Sequence, residues 1–248
     1  AKKLVNAFLK GKIIKPLPTK YTKDIKNAQK FRKLCESKIK SPIIGFKAAG
    51  TALPVLKKLG EKEPFYASVY KRNFLKNKNK IKINKFTMGI ELEVCYLVKK
   101  EILNSKKIIT SKNIDKYISH FAPCIEVVGY RQKKKGIKYL GDLCSDFGAN
   151  VKFVIGPKKK YRRFNSSNLK TNISNRKQGQ SIDGNTNTVY INPLNSLKFV
   201  INKLKKDKIS LKDNFYVFTG STVGVVPIFK GVYTGKIENI GSVSSKII

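Results

Sequence analysis

The sequence predicts an α+β fold, with a small helical N-terminal part over residues 1–85 and a larger β-rich part over residues 86–248. The prediction rests on apolar spacing. Before residue 40 the apolar residues recur at helical intervals, and after residue 85 they gather into short runs between turns. A single long amphipathic stripe interrupts those runs.

Taken in order, Leu4, Ala7 and Phe8, then Ile25, Ala28, Phe31 and Leu34, mark two helices, with Pro16 and Pro18 breaking the chain between them. The glycine-bounded run from Pro42 to Gly50 reads as a strand, and Leu53 to Leu59 as a short helix. Residues 71–85, rich in lysine and asparagine, read as a solvated loop or a sheet edge. Strands are expected at 88–98, 123–130, 150–156, 187–191, 214–219 and 232–240. Residues 157–187, rich in Lys, Asn, Ser and Gly, read as loops or a mobile hairpin. After Asn192 as cap and Pro193 in the first turn, Leu194, Leu197, Val200, Ile201 and Leu204 form the stripe of a long helix. No internal repeat is found.

The composition is globular, with 41% hydrophobic and 10% aromatic residues. Cys35, Cys95, Cys124 and Cys144 show no C-x-x-C spacing, which reads as reduced thiols in a cytoplasmic protein rather than a disulfide framework or a zinc site. His120 is the only histidine, which excludes any site built on several imidazoles. No apolar run reaches the roughly 18 residues that a bilayer requires. The N-terminal stretch lacks the unbroken apolar region of a signal peptide.

A net charge of +38 suggests nucleic acid. The basic residues are overwhelmingly lysine, however, with arginine only at positions 32, 72, 131, 162, 163 and 176. Surfaces that clamp phosphates or read bases favour the bidentate arginine fork. The abundance of lysine, asparagine and isoleucine matches AT-rich coding, so the charge reads as a solvated surface with no specific nucleic-acid partner. It still draws anionic substrates toward the protein.

Against 53 basic residues the chain has only 15 acidic ones, so their placement carries information. Most lie in polar, lysine-bearing segments. Glu91 and Glu93 lie inside the apolar run Met88–Val98, and their i, i+2 spacing puts both on one face of a strand. Glu126 lies inside a second apolar run, Ala122–Val128. Burying an unpaired carboxylate costs several kcal/mol. A hard divalent cation would offset that cost, since Mg²⁺, Mn²⁺ or Ca²⁺ prefers oxygen ligands. The alternative reading is an ordinary amphipathic strand whose glutamates face water or lysine.

Gly89-Ile-Glu-Leu-Glu-Val-Cys-Tyr-Leu-Val98 and Pro123-Cys-Ile-Glu-Val-Val-Gly-Tyr-Arg131 together resemble the fumarylacetoacetate hydrolase superfamily. The closer match is its branch of 2-oxopent-4-enoate hydratases and 4-oxalocrotonate decarboxylases. Ile44-Gly-Phe-Lys-Ala-Ala-Gly-Thr51 is similar to the family's glycine-lysine strand, and Asn192-Pro-Leu-Asn-Ser-Leu197 to its H-P-L-N helix start. Phe218-Thr-Gly-Ser221 with Val225-Val-Pro227 looks like its L-T-G-S turn, and Ile240-Gly-Ser-Val243 like its closing strand. The likeness spans nearly the whole chain.

The resemblance implies a mixed β-sandwich roll with a small N-terminal helical cap, usually in homo-oligomers. It implies that Glu91, Glu93 and Glu126 bind Mg²⁺ or Mn²⁺ and that Lys47 lies near metal and substrate. It implies that Thr219, Gly220 and Ser221 contact a substrate carboxylate. Burial and the metal charge are expected to lower the Lys47 ammonium pKa, so that it can relay a proton.

The departures bear on activity. Phe65 stands where the hydratases carry an acid/base aspartate, and Asn192 replaces the histidine before P-L-N. The hydratase D-N-A-S segment becomes Asp146-Phe-Gly-Ala149, which keeps the aspartate as a candidate acid/base. His120 does not match the hydrolases' catalytic histidine and reads as a packing residue.

The expected function is a metal-dependent lyase acting on a small 2-oxo acid, of the 2-oxopent-4-enoate hydratase type. A 4-oxalocrotonate-type decarboxylase and an acylpyruvate hydrolase on the same metal platform are the alternatives. A basic nucleic-acid-binding module is the reading from another class, and it predicts salt-sensitive binding that survives removal of the glutamates.

Overall fold

The protein is described by a computed structural model that covers residues 1–133 and 136–248. The chain folds as α1 (Lys2–Lys10), α2 (Ile25–Glu36), β1 (Ile43–Ala49), α3 (Leu53–Lys58), β2 (Phe65–Tyr70), β3 (Phe74–Lys76) and β4 (Lys80–Ile81). Then follow β5 (Thr87–Val98), α4 (Glu101–Asn104), β6 (Ile118–Gly129), α5 (Leu140–Ser145), β7 (Asn150–Ile155) and β8 (Lys159–Lys160). The remainder is β9 (Lys170–Asn175), β10 (Gln180–Asn185), α6 (Pro193–Lys206), β11 (Phe215–Ser221), β12 (Val226–Pro227), β13 (Gly231–Ile237) and β14 (Gly241–Ile247).

Among the described residues these strands form two mixed sheets. The larger runs β2-β1-β11-β5-β6-β7-β3, with β12 added to β5 and β8 to β6. The smaller runs β10-β9-β13-β14-β4. Strand pairing crosses residue 85: β1 lies parallel to β11, and β4 lies parallel to β14. The fold is α+β, as the apolar spacing predicts.

Side-chain alternation along β5 and β6 sorts the two faces of the large sheet. Ile90, Leu92, Val94, Tyr96 and Val98, with Ile125 and Val127, face the main core. There they meet the small sheet, with Leu92 packed against Gly235, and the apolar stripe of α6. The opposite face carries Cys95, Cys124, Phe153 and Phe218. Helices α2 and α5 pack together over the neighbouring β2 edge, through Ala28, Phe65, Ala67, Leu140 and Cys144. Among the described residues no helix is long and apolar enough to cross a membrane.

Differences from the expected elements have local causes. Residues 187–191 are no strand. Thr186–Thr188 forms a 3-10 turn, and Tyr190 and Ile191 take left-handed backbone angles that end any extended run. The polar stretch 157–187 holds the hairpin among its expected forms, β9–β10, turned by Arg176–Gln178 and a left-handed Gly179. Its pattern is too polar to read as strands because one face of the small sheet is open to water. The segment 71–85 supplies two edge strands, β3 against β7 and β4 against β14, in line with its sheet-edge reading. Strand β2 and helix α5 carry no clean period, being buried on nearly every side.

Candidate metal centre

Three carboxylates come together on the face of the large sheet away from the main core. Glu91 stands directly opposite Glu126 in the β5–β6 ladder, and Glu93 follows two residues on, opposite Cys124. Carboxylate oxygens of the three lie within 4.8 Å of one another. Glu93 and Glu126 are fully buried, and Glu91 opens into a cleft. Like charges set directly opposite across strands repel. Here the repulsion is compounded by burial.

The neighbouring elements leave that charge only partly answered. Lys47, carried in by β1 and 3% exposed, donates from Nζ to Glu126 Oε1 at 2.6 Å and to the Gly148 carbonyl at 3.0 Å. The Gly220 N–H donates to Glu93 Oε2 at 3.1 Å. Glu93 Oε1 and Glu126 Oε2 are buried with no hydrogen-bond partner. Burial pushes Glu93 up to about 7 and Glu91 up to about 8, with Lys47 pulling both back in part. Glu126 is pushed well above the ordinary carboxylate range, again by burial against the pull of Lys47.

The Lys47 ammonium differs from its expected state. Burial by itself lowers its pKa, but Glu126, Glu91 and Glu93 together outweigh burial and raise it. The lowered pKa expected from the sequence presupposed the charge of a cation, which would cancel the carboxylates' pull.

The donor set fits a hard divalent cation. It consists of carboxylates alone, held by rigid strands, with two orphaned oxygens and more negative charge than one lysine neutralises. Ionised carboxylates are acceptors only, so two buried oxygens without a donor suit a cation.

Two turns shape the surroundings. Phe147, Gly148 and Ala149 all take positive φ angles of 55°, 68° and 60°, which swings the Gly148 carbonyl onto Lys47. Such a run, with two non-glycine residues in the left-handed region, is backbone strain of the kind that gathers at functional sites. Gly220, at φ 107°, lies so close to Thr51 that an added Cβ would come within 2.2 Å of Thr51 Oγ1. Only glycine lets the β11 turn approach β1 and aim its N–H at Glu93.

The remaining expected residues separate. Gly220 and Ser221 line the cleft. The Thr219 side chain turns into the core and donates to the Val94 carbonyl at 2.8 Å. Asp146 does not join the glutamates. Its carboxylate accepts from Arg131 Nη1 at 2.9 Å and from the Arg131 backbone N–H at 2.6 Å. Arg131 also donates to the Asn150 carbonyl and lies between the rings of Phe8, Phe86 and Phe147. Asp146 is fully buried and raised above the ordinary carboxylate range by burial, with Arg131 opposing. The pair anchors the strained Phe147–Ala149 turn from behind. Phe65 packs beneath Gly148, and Asn192 caps α6 by accepting from the Asn195 N–H at 2.8 Å. His120 lies partly buried on β6 opposite Leu97 and takes no part in the cleft lining.

Sequence reasoning misses the Gly148 carbonyl and Arg131. The signal for Arg131 was present: a rare arginine, flanked by apolar residues, next to the Glu126 strand. No spacing rule reveals a backbone carbonyl turned by three left-handed residues.

The cleft beside the triad has a volume of about 690 Å³. Lys47, Glu91, Gly148, Gly220 and Ser221 lie along its wall, with α3 and the turn after β11.

Comparison of the sequence with protein-family models finds no match, and comparison with curated proteins finds none either. Solved structures do match. A 4-oxalocrotonate decarboxylase from Pseudomonas putida G7, complexed with magnesium and adipate, superposes with a TM-score of 0.82 at 19% identity, covering 100% of this chain and 95% of that one. A fumarylpyruvate hydrolase from Pseudomonas aeruginosa, in complex with Mn²⁺ and pyruvate, gives 0.62 at 12% identity, covering 85% and 92%. A putative fumarylacetoacetate hydrolase family protein from Yersinia pestis CO92 gives 0.59 at 15%, covering 85% and 95%. The chain therefore has the fold of these proteins, the one that the sequence resemblance implied.

Proposed function

We propose that this chain is a divalent-metal-dependent enzyme of the fumarylacetoacetate hydrolase superfamily that acts on a 2-oxo acid. The reading is carried by one observation: Glu91, Glu93 and Glu126 converge with two buried oxygens unpartnered, beside a buried lysine and at the wall of a cleft. It is supported by the shared fold and by the magnesium and Mn²⁺ in the structures that have it. The three glutamates would hold Mg²⁺ or Mn²⁺, a Lewis acid that draws electrons from the carbonyl of a bound 2-oxo acid.

The chain's own residues supply the rest. Lys47, fixed by Glu126 and the Gly148 carbonyl, would give or take a proton at the substrate carbon. The Phe147–Ala149 turn holds that lysine against the triad, and the Asp146–Arg131 pair holds the turn. Gly220 keeps the Glu93 carboxylate oriented. Ser221, at the cleft wall, would turn its hydroxyl from the Gly224 carbonyl to meet the substrate carboxylate.

Our first reading of the reaction is a hydratase-type lyase, adding water to a 2-hydroxydienoate to give a 4-hydroxy-2-oxo acid. The second is decarboxylation, favoured by the turning of Asp146 toward Arg131. That leaves Lys47 as the one basic side chain among the described residues of the cleft wall, and loss of CO₂ needs one proton donor where water addition also needs an activated water. The protein is proposed to work as a homo-oligomer in the cytoplasm. The test is turnover of 2-hydroxypenta-2,4-dienoate with Mg²⁺ or Mn²⁺, with EDTA, and with Glu91→Gln. The reading expects activity in the first condition alone. Undiminished turnover in EDTA would refute it.

A further inference from the structure

We infer that the cleft selects a 2-oxo acid with a single carboxylate and an extended apolar tail, an inference that rests on the hydratase form of the proposed 2-oxo acid chemistry, since a decarboxylase of this type needs a second carboxylate to lose. The cleft's volume of about 690 Å³ falls mid-way in the roughly 300–1,000 Å³ range of pockets that enclose drug-sized ligands, far more than a three-carbon acid fills. Beyond the triad its wall is apolar. Leu53 and Val55 come from α3, Met88 and Val128 from the β5–β6 pair, and Val223 and Val225 from the turn after β11.

Of the polar groups on that wall, the Asn187 amide carries no charge and several hydroxyls are committed. Thr222 Oγ1 donates to the Leu92 carbonyl at 2.9 Å and Thr188 Oγ1 to the Asn185 carbonyl at 2.8 Å, while the Ser221 hydroxyl is the one assigned to the first carboxylate. In a chain with 53 basic residues, Lys47 is the one cation among the described residues lining the cleft, and its ammonium is already shared between Glu126 and Gly148. Asp183, also on the wall, is itself an anion and accepts from Asn172 Nδ2 at 2.7 Å. A second carboxylate would enter this wall without a counter-ion and lose its water, which is costly. A methylene chain would gain by the same burial.

The experiment is calorimetric titration of the Mn²⁺-loaded full chain with 2-oxobutanoate, 2-oxopentanoate, 2-oxohexanoate and 2-oxohexanedioate. Affinity should rise about fourfold with each added methylene, the fold-change that corresponds to about 0.8 kcal/mol. The six-carbon diacid should bind at least about tenfold more weakly than 2-oxohexanoate. Val55→Lys should close that gap, and Val225→Lys serves equally should the first variant not fold. Both positions are exposed enough, at 45% and 55%, to carry a lysine. Affinity indifferent to tail length, or a diacid bound as tightly as the monoacid, overturns the inference and leaves the 2-oxo acid reading standing. Absence of binding by every acid, or of Mn²⁺ uptake, overturns that reading and the inference with it.

Discussion

Glu91 and Glu126 face each other across the β5–β6 ladder, two carboxylates at one rung, with Glu93 two residues on and apolar residues on the opposite face. Like charges directly opposite each other across strands are destabilising. At this rung Glu126 is fully buried, so the pairing is an arrangement that only a cation or a proton relieves.

Glu91→Gln should therefore act in opposite directions with and without metal. In EDTA the variant melts at or above the wild-type temperature, because a repulsion is gone. With Mn²⁺ at about 100 times its Kd, the wild type gains about 2.7 kcal/mol, a rise of roughly 5–10 °C in Tm, and the variant gains far less. Thermal melts of both proteins check this. An equal Mn²⁺ shift in the two would remove Glu91 from the ligand set.

Lys47→Met leaves Glu126 without its partner at 2.6 Å. Breaking a buried ion pair from one side costs about 3–5 kcal/mol, and less where the orphaned carboxylate takes up a proton. Metal-free protein should lose stability by up to that amount, and Mn²⁺ should restore part of it by supplying the missing charge. Urea melts with and without Mn²⁺ decide the matter, and a deficit that the metal does not reduce would place Lys47 outside the electrostatics of the site.

Gly220→Ala puts a methyl group within 2.2 Å of Thr51 Oγ1 at a φ of 107°. Backbone strain of this kind costs on the order of 1–3 kcal/mol. Because the turn must move, the N–H that Glu93 accepts moves with it, so Mn²⁺ affinity should fall by about 10–100-fold, as when a group supporting a ligand is removed. Titration calorimetry reads the affinity directly. A stable variant with wild-type Mn²⁺ binding would show the turn to be irrelevant to the triad.

Asp146→Asn separates a positioning role from a catalytic one. Arg131 would lose its buried counter-ion at about 3–5 kcal/mol, a drop on the order of 10 °C in Tm. Turnover at low temperature, measured on protein still folded, should keep the wild-type pH profile, since the carboxylate faces Arg131 rather than the cleft. A variant of unchanged stability with turnover abolished would make Asp146 the acid/base that the sequence first suggested.

Much of this protein was legible in its residues. The Glu91–Glu93 spacing on one strand face, and Glu126 in a second apolar run, were visible because strand periodicity is local and because acids are scarce in this chain. Helix α6 was equally plain, with its cap, its first-turn proline and its stripe all contiguous. Pairing partners, faces and backbone turns lie beyond that local reach. No spacing rule sets Glu91 opposite Glu126, brings Lys47 to them from β1 across 79 residues, or turns Gly148 inward through three left-handed residues. The same holds for the Arg131 partner of Asp146, which no motif announces. Composition and period are properties of neighbours along the chain. Which charges must share one desolvated space is a property of the folded sheet, and that sharing makes the site.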